Sequence, residues 1–111
     1  MGDGELLANE LMENRAVLTA LGDEVRQHLI VTMLLNAKES GLRVGEIAAS
    51  ANLSRPAVSH HLQILKEIGV VDVRHEGTRN YYFFNRKTLI YDQLMHVLLL
   101  AKQYMGQEMT V

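Results

Sequence analysis

Apolar residues recur at helical spacing along most of this chain, but between residues 71 and 84 they alternate. Strand side chains repeat every second residue and a helix face every 3.6, so this one switch restricts the fold to helices plus a β-hairpin. The two β-rich runs are Val71-Asp72-Val73-Arg74-His75 and Tyr81-Tyr82-Phe83-Phe84, joined by Glu76-Gly77-Thr78-Arg79-Asn80. All six aromatic residues lie at 81–84, 91 and 104, so none precedes the hairpin.

The helical part divides at its punctuation. Residues 5–20 predict a first helix carrying Leu7, Leu11, Val17, Leu18 and, just beyond, Leu21. Gly22 interrupts it, and Asp23 is placed to cap a second helix, whose stripe is Val25, Leu29, Ile30, Met33 and Leu34. Gly41 stands where that helix should stop. A short helix over about 44–51 turns Ile47, Ala48 and Ala51 inward. Asn52 suits a left-handed turn, Ser54 an N-cap and Pro56 a first helical turn. Val58, Leu62, Leu65 and Ile68 then run inward to Gly69. A last helix over about 87–105 carries Leu89, Ile90, Leu94 and Val97 through Leu100, an apolar band wider than one packing partner can cover.

With 111 residues, the chain is expected to be one domain, residues 1–111. So small a domain often gains stability by pairing with a second copy. The absence of cysteine excludes disulfides, thiolate metal sites and thiol redox chemistry. No apolar run approaches the ~18–20 residues of a membrane span, and the expected location is the cytoplasm. The net charge is −2, yet it is unevenly spread. Residues 1–42 hold three basic residues against seven acidic ones, whereas residues 43–87 hold seven against four. That basic island points to polyanion binding through the middle of the chain.

Helix, tight turn, helix and basic hairpin make a winged helix-turn-helix, mostly α, in the order α-α-α-α-β-β-α. The helix-turn-helix spans about 44–68 and the wing about 70–85. The end helices, about 5–20 and 87–105, are left for dimerisation. The small Ala48 and Ala51 allow close approach of the paired helices. With Val58, Leu62 and Leu65 inward, the second helix turns out Arg55, Ser59, His60 and Gln63, with no acid before Glu67. Arg can pair bidentately with guanine and Gln with adenine, so this face suits base edges in a major groove. Arg74 and Arg79 flank a turn that could touch phosphate. The bland alternative is a solvated helix face and an ordinary turn.

Ala20-Leu21-Gly22-Asp23, Arg26, Leu53-Ser54, Val58-Ser59-His60-His61-Leu62, Leu65-Lys66, Gly69 and Gly77 through Tyr81-Tyr82 resemble the ArsR/SmtB family of bacterial transcriptional repressors. The resemblance covers about residues 15–85. It implies a homodimer built on the first and last helices and bound to double-stranded DNA at a palindromic operator. It also implies that Ser54, Arg55, Ser59, His60 and Gln63 face bases or nearby phosphates, with His61 half-buried under the wing. Leu7, Leu11, Leu94 and Leu98 are the expected dimer-interface residues.

The departures concern metal. Where family sensors carry a Cys-x-Cys pair, this chain has Arg43 and Gly45; where others place last-helix ligands, it has Arg86, Thr88, Leu99 and Lys102. No cofactor is expected. His28 and His96 are isolated on helices and suit packing or surface roles, although a site assembled across a dimer from His28, His75, His96, Asp92 and Glu108 stays open. The methionines suit core and interface filling. No phosphate loop, nucleophile elbow or paired carboxylates point to catalysis. The expectation is thus a metal-independent, sequence-specific dimeric regulator, most simply a repressor. The alternative is a winged-helix protein-interaction module that does not read DNA. Control would rest with expression level, an unknown inducer or protein antagonist, or protonation of His60 or His61.

Overall fold

The computed structural model describes residues 2–109, with side chains through residue 106. Six helices and a hairpin follow in order: α1 (Asp3–Glu13), α2 (Arg15–Leu21), α3 (Glu24–Leu35), α4 (Val44–Ala51), α5 (Arg55–Glu67), β1 (Val71–Glu76), β2 (Arg79–Phe84) and α6 (Ile90–Met109). The expected first helix is two helices, because Asn14 breaks it. The buried Asn14 side chain donates through Nδ2 to the Glu10 carbonyl at 2.8 Å, competing with the helical ladder at that point.

Asp23 caps α3 by accepting the Arg26 amide at 3.0 Å. The helix stops at Leu35, earlier than Gly41 suggested. Gly41 instead takes a φ of +84°, and a Cβ there would meet the Tyr81 Cβ and the Tyr82 carbonyl at 3.1 Å. The connection needs that close approach. Leu42 and Tyr82 exchange both backbone hydrogen bonds at 2.8 Å, clasping the α3–α4 connection to the wing.

The helix-turn-helix follows its local signals. Asn52 adopts φ 56° and ψ 46° after α4. Ser54 Oγ accepts the Ala57 amide at 3.2 Å, and Pro56 sits in the first turn of α5. Val58, Leu62 and Leu65 are fully buried, and they meet Leu29 and Met33 of α3 and Ile47, Ala48 and Ala51 of α4 in one core. Each of the larger side chains contributes about 1.5–3 kcal/mol on burial, so the core sets the angle at which α5 is presented. Val25 and Leu34, expected on the inward stripe of α3, are exposed. The helix is apolar on several sides, and only the side bearing Leu29 and Met33 meets α4 and α5.

The hairpin pairs Val71 with Phe84 through to Glu76 with Arg79, so the strands run into the expected five-residue loop. Only Gly77 and Thr78 remain as the turn. Gly77 alone of the two has positive φ, 60°, which is the pattern of a type II′ hairpin. The last helix starts at Ile90, later than expected. It runs antiparallel to α1, with Tyr104 beside Gly4 and His96 facing Glu10 at 3.4 Å. Leu7 is buried in this pairing, whereas Leu11, Leu98 and Leu99 are exposed and Leu94 is half-buried. The molecule is elongated, 58 × 25 × 21 Å. No helix among the described residues is long and apolar enough to cross a membrane.

Candidate nucleic-acid interface

α5 buries one side of its surface and exposes Ser54, Arg55, Ser59, His60 and Gln63. These exposed donors and acceptors are short or planar, and the acid of α5, Glu67, holds Gln63 Nε2 at 3.3 Å. That bond is exposed and weak, so the Gln63 amide is available at small cost. The neighbouring His60 and His61 rings meet edge to face at 5.3 Å.

His61 does not lie under the wing. It is half-buried against α3, where Arg26 Nη1 donates to its Nδ1 at 3.3 Å. Arginine can only donate, so His61 accepts as the neutral imidazole with its proton on Nε2. Burial is the main cause holding the His61 imidazole below its ordinary value; Asp23 opposes this, and Arg26 and His60 add to it. Arg26 also donates through Nε to the Ala20 carbonyl at 2.7 Å. One buried guanidinium thus joins the end of α2, the start of α3 and the outward helix α5.

The wing divides into an engaged and a free arginine. Arg74 donates to Glu76 Oε1 at 2.8 Å and to the Ser40 carbonyl at 2.7 Å, and lies over the Tyr81 ring at 5.0 Å. Its charge is largely spent within the protein. Arg79 is exposed beside the turn, opposite Glu76 in the ladder, and has no ion pair among the described residues. His75 Nδ1 donates to Asn80 Oδ1 at 2.6 Å, further stiffening the wing.

Between wing tip and helices lies an open cleft of about 440 Å3, lined by Arg43, Gly45, Glu46, Arg55, Thr78 and Asn80 among others. Glu46 accepts from Lys38 at 2.6 Å and from the Arg43 amide at 3.0 Å, and the Lys38 bond holds its carboxyl below the usual carboxylate range. In the sequence, Arg43 and Gly45 stand where family sensors carry metal ligands. Arg43 belongs to the basic island of the sequence, but only the fold sets it on one cleft with Arg55.

Among the described residues, no group of three or more His, Asp and Glu side chains converges as a metal site. His28 Nε2 donates to the Ala51 carbonyl at 2.9 Å, tying α3 to the end of α4. His75 and His96 have the local partners given above, and Asp92 is exposed on α6. The Glu108 side chain lies outside the described residues.

Residues 25–73 match the family model described as bacterial regulatory protein, arsR family. A stretch of 67 residues is 39% identical to an uncharacterized HTH-type transcriptional regulator of Methanocaldococcus jannaschii, covering 60% of this chain and 72% of the relative. The chain belongs to the ArsR family. The transcriptional repressor SdpR of Bacillus subtilis is 33% identical over 73 residues, which cover 66% of this chain and 77% of that repressor. Among solved structures, a homodimeric winged helix-turn-helix DNA-binding domain from Mycobacterium bovis superposes with a TM-score of 0.58 at 30% identity, over 91% of this chain and 84% of that one. The transcriptional repressor BigR from Xylella fastidiosa superposes with a TM-score of 0.57 at 25% identity, over 96% and 94% of the two chains. This ArsR-family chain is a transcriptional regulator with a winged helix-turn-helix fold.

Proposed function

We propose that this ArsR-family protein is a cytoplasmic repressor acting as a homodimer on a palindromic operator, with α5 of each protomer in a major groove. The observation that carries this is the outward face of α5, where Ser59, His60 and Gln63 offer base-edge donors and acceptors beside the unpaired Arg55 and Arg79. In this reading Ser59, His60 and Gln63 read bases, while Ser54, Arg55 and Arg79 meet phosphates. Arg74 contributes by holding the wing rather than by touching DNA, since Glu76 and Ser40 already occupy it.

The dimer is proposed through α1 and α6. Leu11, Met95, Leu98 and Leu99 are exposed on this antiparallel pair, more apolar surface than a monomer leaves uncovered without reason. The Mycobacterium bovis domain is homodimeric, which supports pairing of two copies. Leu7 shapes the pair from within, and Leu94 lies at its margin.

Selection of bound duplexes from a random-sequence library tests the proposal. A two-fold symmetric consensus, with half-sites about 10–10.5 base pairs apart or a multiple of that, is the expected outcome for a dimer of recognition helices. Binding without any enriched sequence would favour the protein-interaction module instead.

A further inference from the structure

Arg43 precedes α4, Arg55 opens α5, and both line the cleft that Thr78 and Asn80 of the wing close on one side. Neither arginine has an ion pair among the described residues. The cleft's carboxylate, Glu46, is already taken by Lys38 and by the Arg43 amide. Arg55 reaches this corner because residue 45 has no side chain. A Cβ on Gly45 would stand 2.8 Å from Arg55 Nη2 and 3.1 Å from its Cζ.

Glu46 lines the same cleft and feels the Arg43 charge. Yet among the described residues no carboxylate pairs directly with either guanidinium, and two cations facing one cleft favour an anion there. Their planar forks fit the oxygens of a phosphodiester, and the chain's net charge of −2 gives no reason to collect cations here otherwise. We infer that Arg43 and Arg55 together seat a single DNA backbone phosphate, and that the bare backbone of Gly45 sets the position of Arg55 within that seat. The inference rests on the DNA-binding reading above. It assigns Arg55 to anchoring, leaving base readout to Ser59, His60 and Gln63.

Fluorescence anisotropy with a random-sequence duplex, read across a salt series, tests the seat. Arg43→Ala and Arg55→Ala each weaken binding and flatten the plot of log affinity against log salt by up to about 0.9 per seat. The double variant flattens it no further, because one phosphate is shared. Gly45→Ala keeps both charges and the fold, since the displaced atoms end a flexible side chain, yet it weakens binding, by less than Arg55→Ala does. Arg15→Ala, an exposed cation on α2, leaves the slope unchanged. Additive flattening in the double variant overturns the shared seat, as does a wild-type slope in Arg43→Ala. Equal flattening by Arg15→Ala would mean bulk charge rather than a seat. An unaffected Gly45→Ala would remove Gly45 from it. A wild-type protein that binds no duplex at all defeats the parent reading itself, so the two failures are distinguishable.

Discussion

Arg26 donates to His61 across 3.3 Å, and this bond ties α3 to the inner edge of the proposed recognition helix. The same guanidinium holds the Ala20 carbonyl at 2.7 Å, so one buried side chain fixes three helices. Its Asp23 partner, at 3.7 Å, adds less, being partly exposed to water. Arg26→Ala leaves the Ala20 carbonyl and the His61 ring without their donor. Hydrogen bonds to a charged group contribute about 1.5–3 kcal/mol each, so losing both should lower stability in urea unfolding by about 3–6 kcal/mol. Arg26→Lys recovers part of this at most, because an ammonium lacks the fork that reaches both acceptors.

Stability should also fall on acidification through His61. Burial holds its imidazole below the ordinary value, with Asp23 opposing and Arg26 and His60 reinforcing. The unfolded chain therefore binds the His61 proton at about pH 6.5, whereas the native chain resists it to lower pH. The contribution is complete above that pH and is lost as pH falls through the native value. His61→Gln should flatten the stability profile below about pH 6.5 relative to wild type. An unchanged profile would mean that burial does not hold this ring below its ordinary value.

Readout and anchoring should separate by mutation. Gln63→Ala and His60→Ala are expected to relax the preferred sequence, each costing about 1–3 kcal/mol per half-site on the best operator. Arg79→Ala should weaken all duplexes alike and flatten the salt dependence, because a phosphate contact carries little sequence information. Binding-site selection repeated with each variant distinguishes these outcomes. A shifted consensus with Arg79→Ala alone would reverse the roles.

Leu98→Glu tests the pairing of end helices. Leu98 is 68% exposed in the single chain, so the substitution costs little within one protomer. A charge in a dimer seam, by contrast, costs several kcal/mol unless paired. Light scattering should give twice the 12.5 kDa chain mass for wild type and a monomer for the variant. A monomeric wild type at micromolar concentration would remove α1 and α6 as the interface.

Divalent metals should leave operator binding unchanged. A stable zinc site needs about four ligands at ~2.0–2.3 Å, and three histidines already have partners: His28 on Ala51, His75 on Asn80 and His96 facing Glu10. Calorimetry combined with gel shift in zinc, nickel, cobalt or cadmium is the measurement. Sub-micromolar binding with loss of DNA affinity would reveal a ligand set formed between copies.

The sequence by itself determined the elements whose signals are local. Asn52, Ser54 and Pro56 place the turn between α4 and α5, because left-handed geometry, capping and a missing amide act within a few residues. The change of apolar period places the wing, and Val58, Leu62 and Leu65 mark the buried side of α5. The break at Asn14 was hidden, since an asparagine within an apolar pattern does not reveal whether its amide will bond back to the chain. Only the tertiary structure brought Arg26 to His61, Leu42 to Tyr82, and Arg43 and Arg55 to one cleft. These residues lie 35, 40 and 12 positions apart in the sequence. A charged or polar side chain carries no periodic signal of its partner, and its role is decided by which helices the shared core forces together.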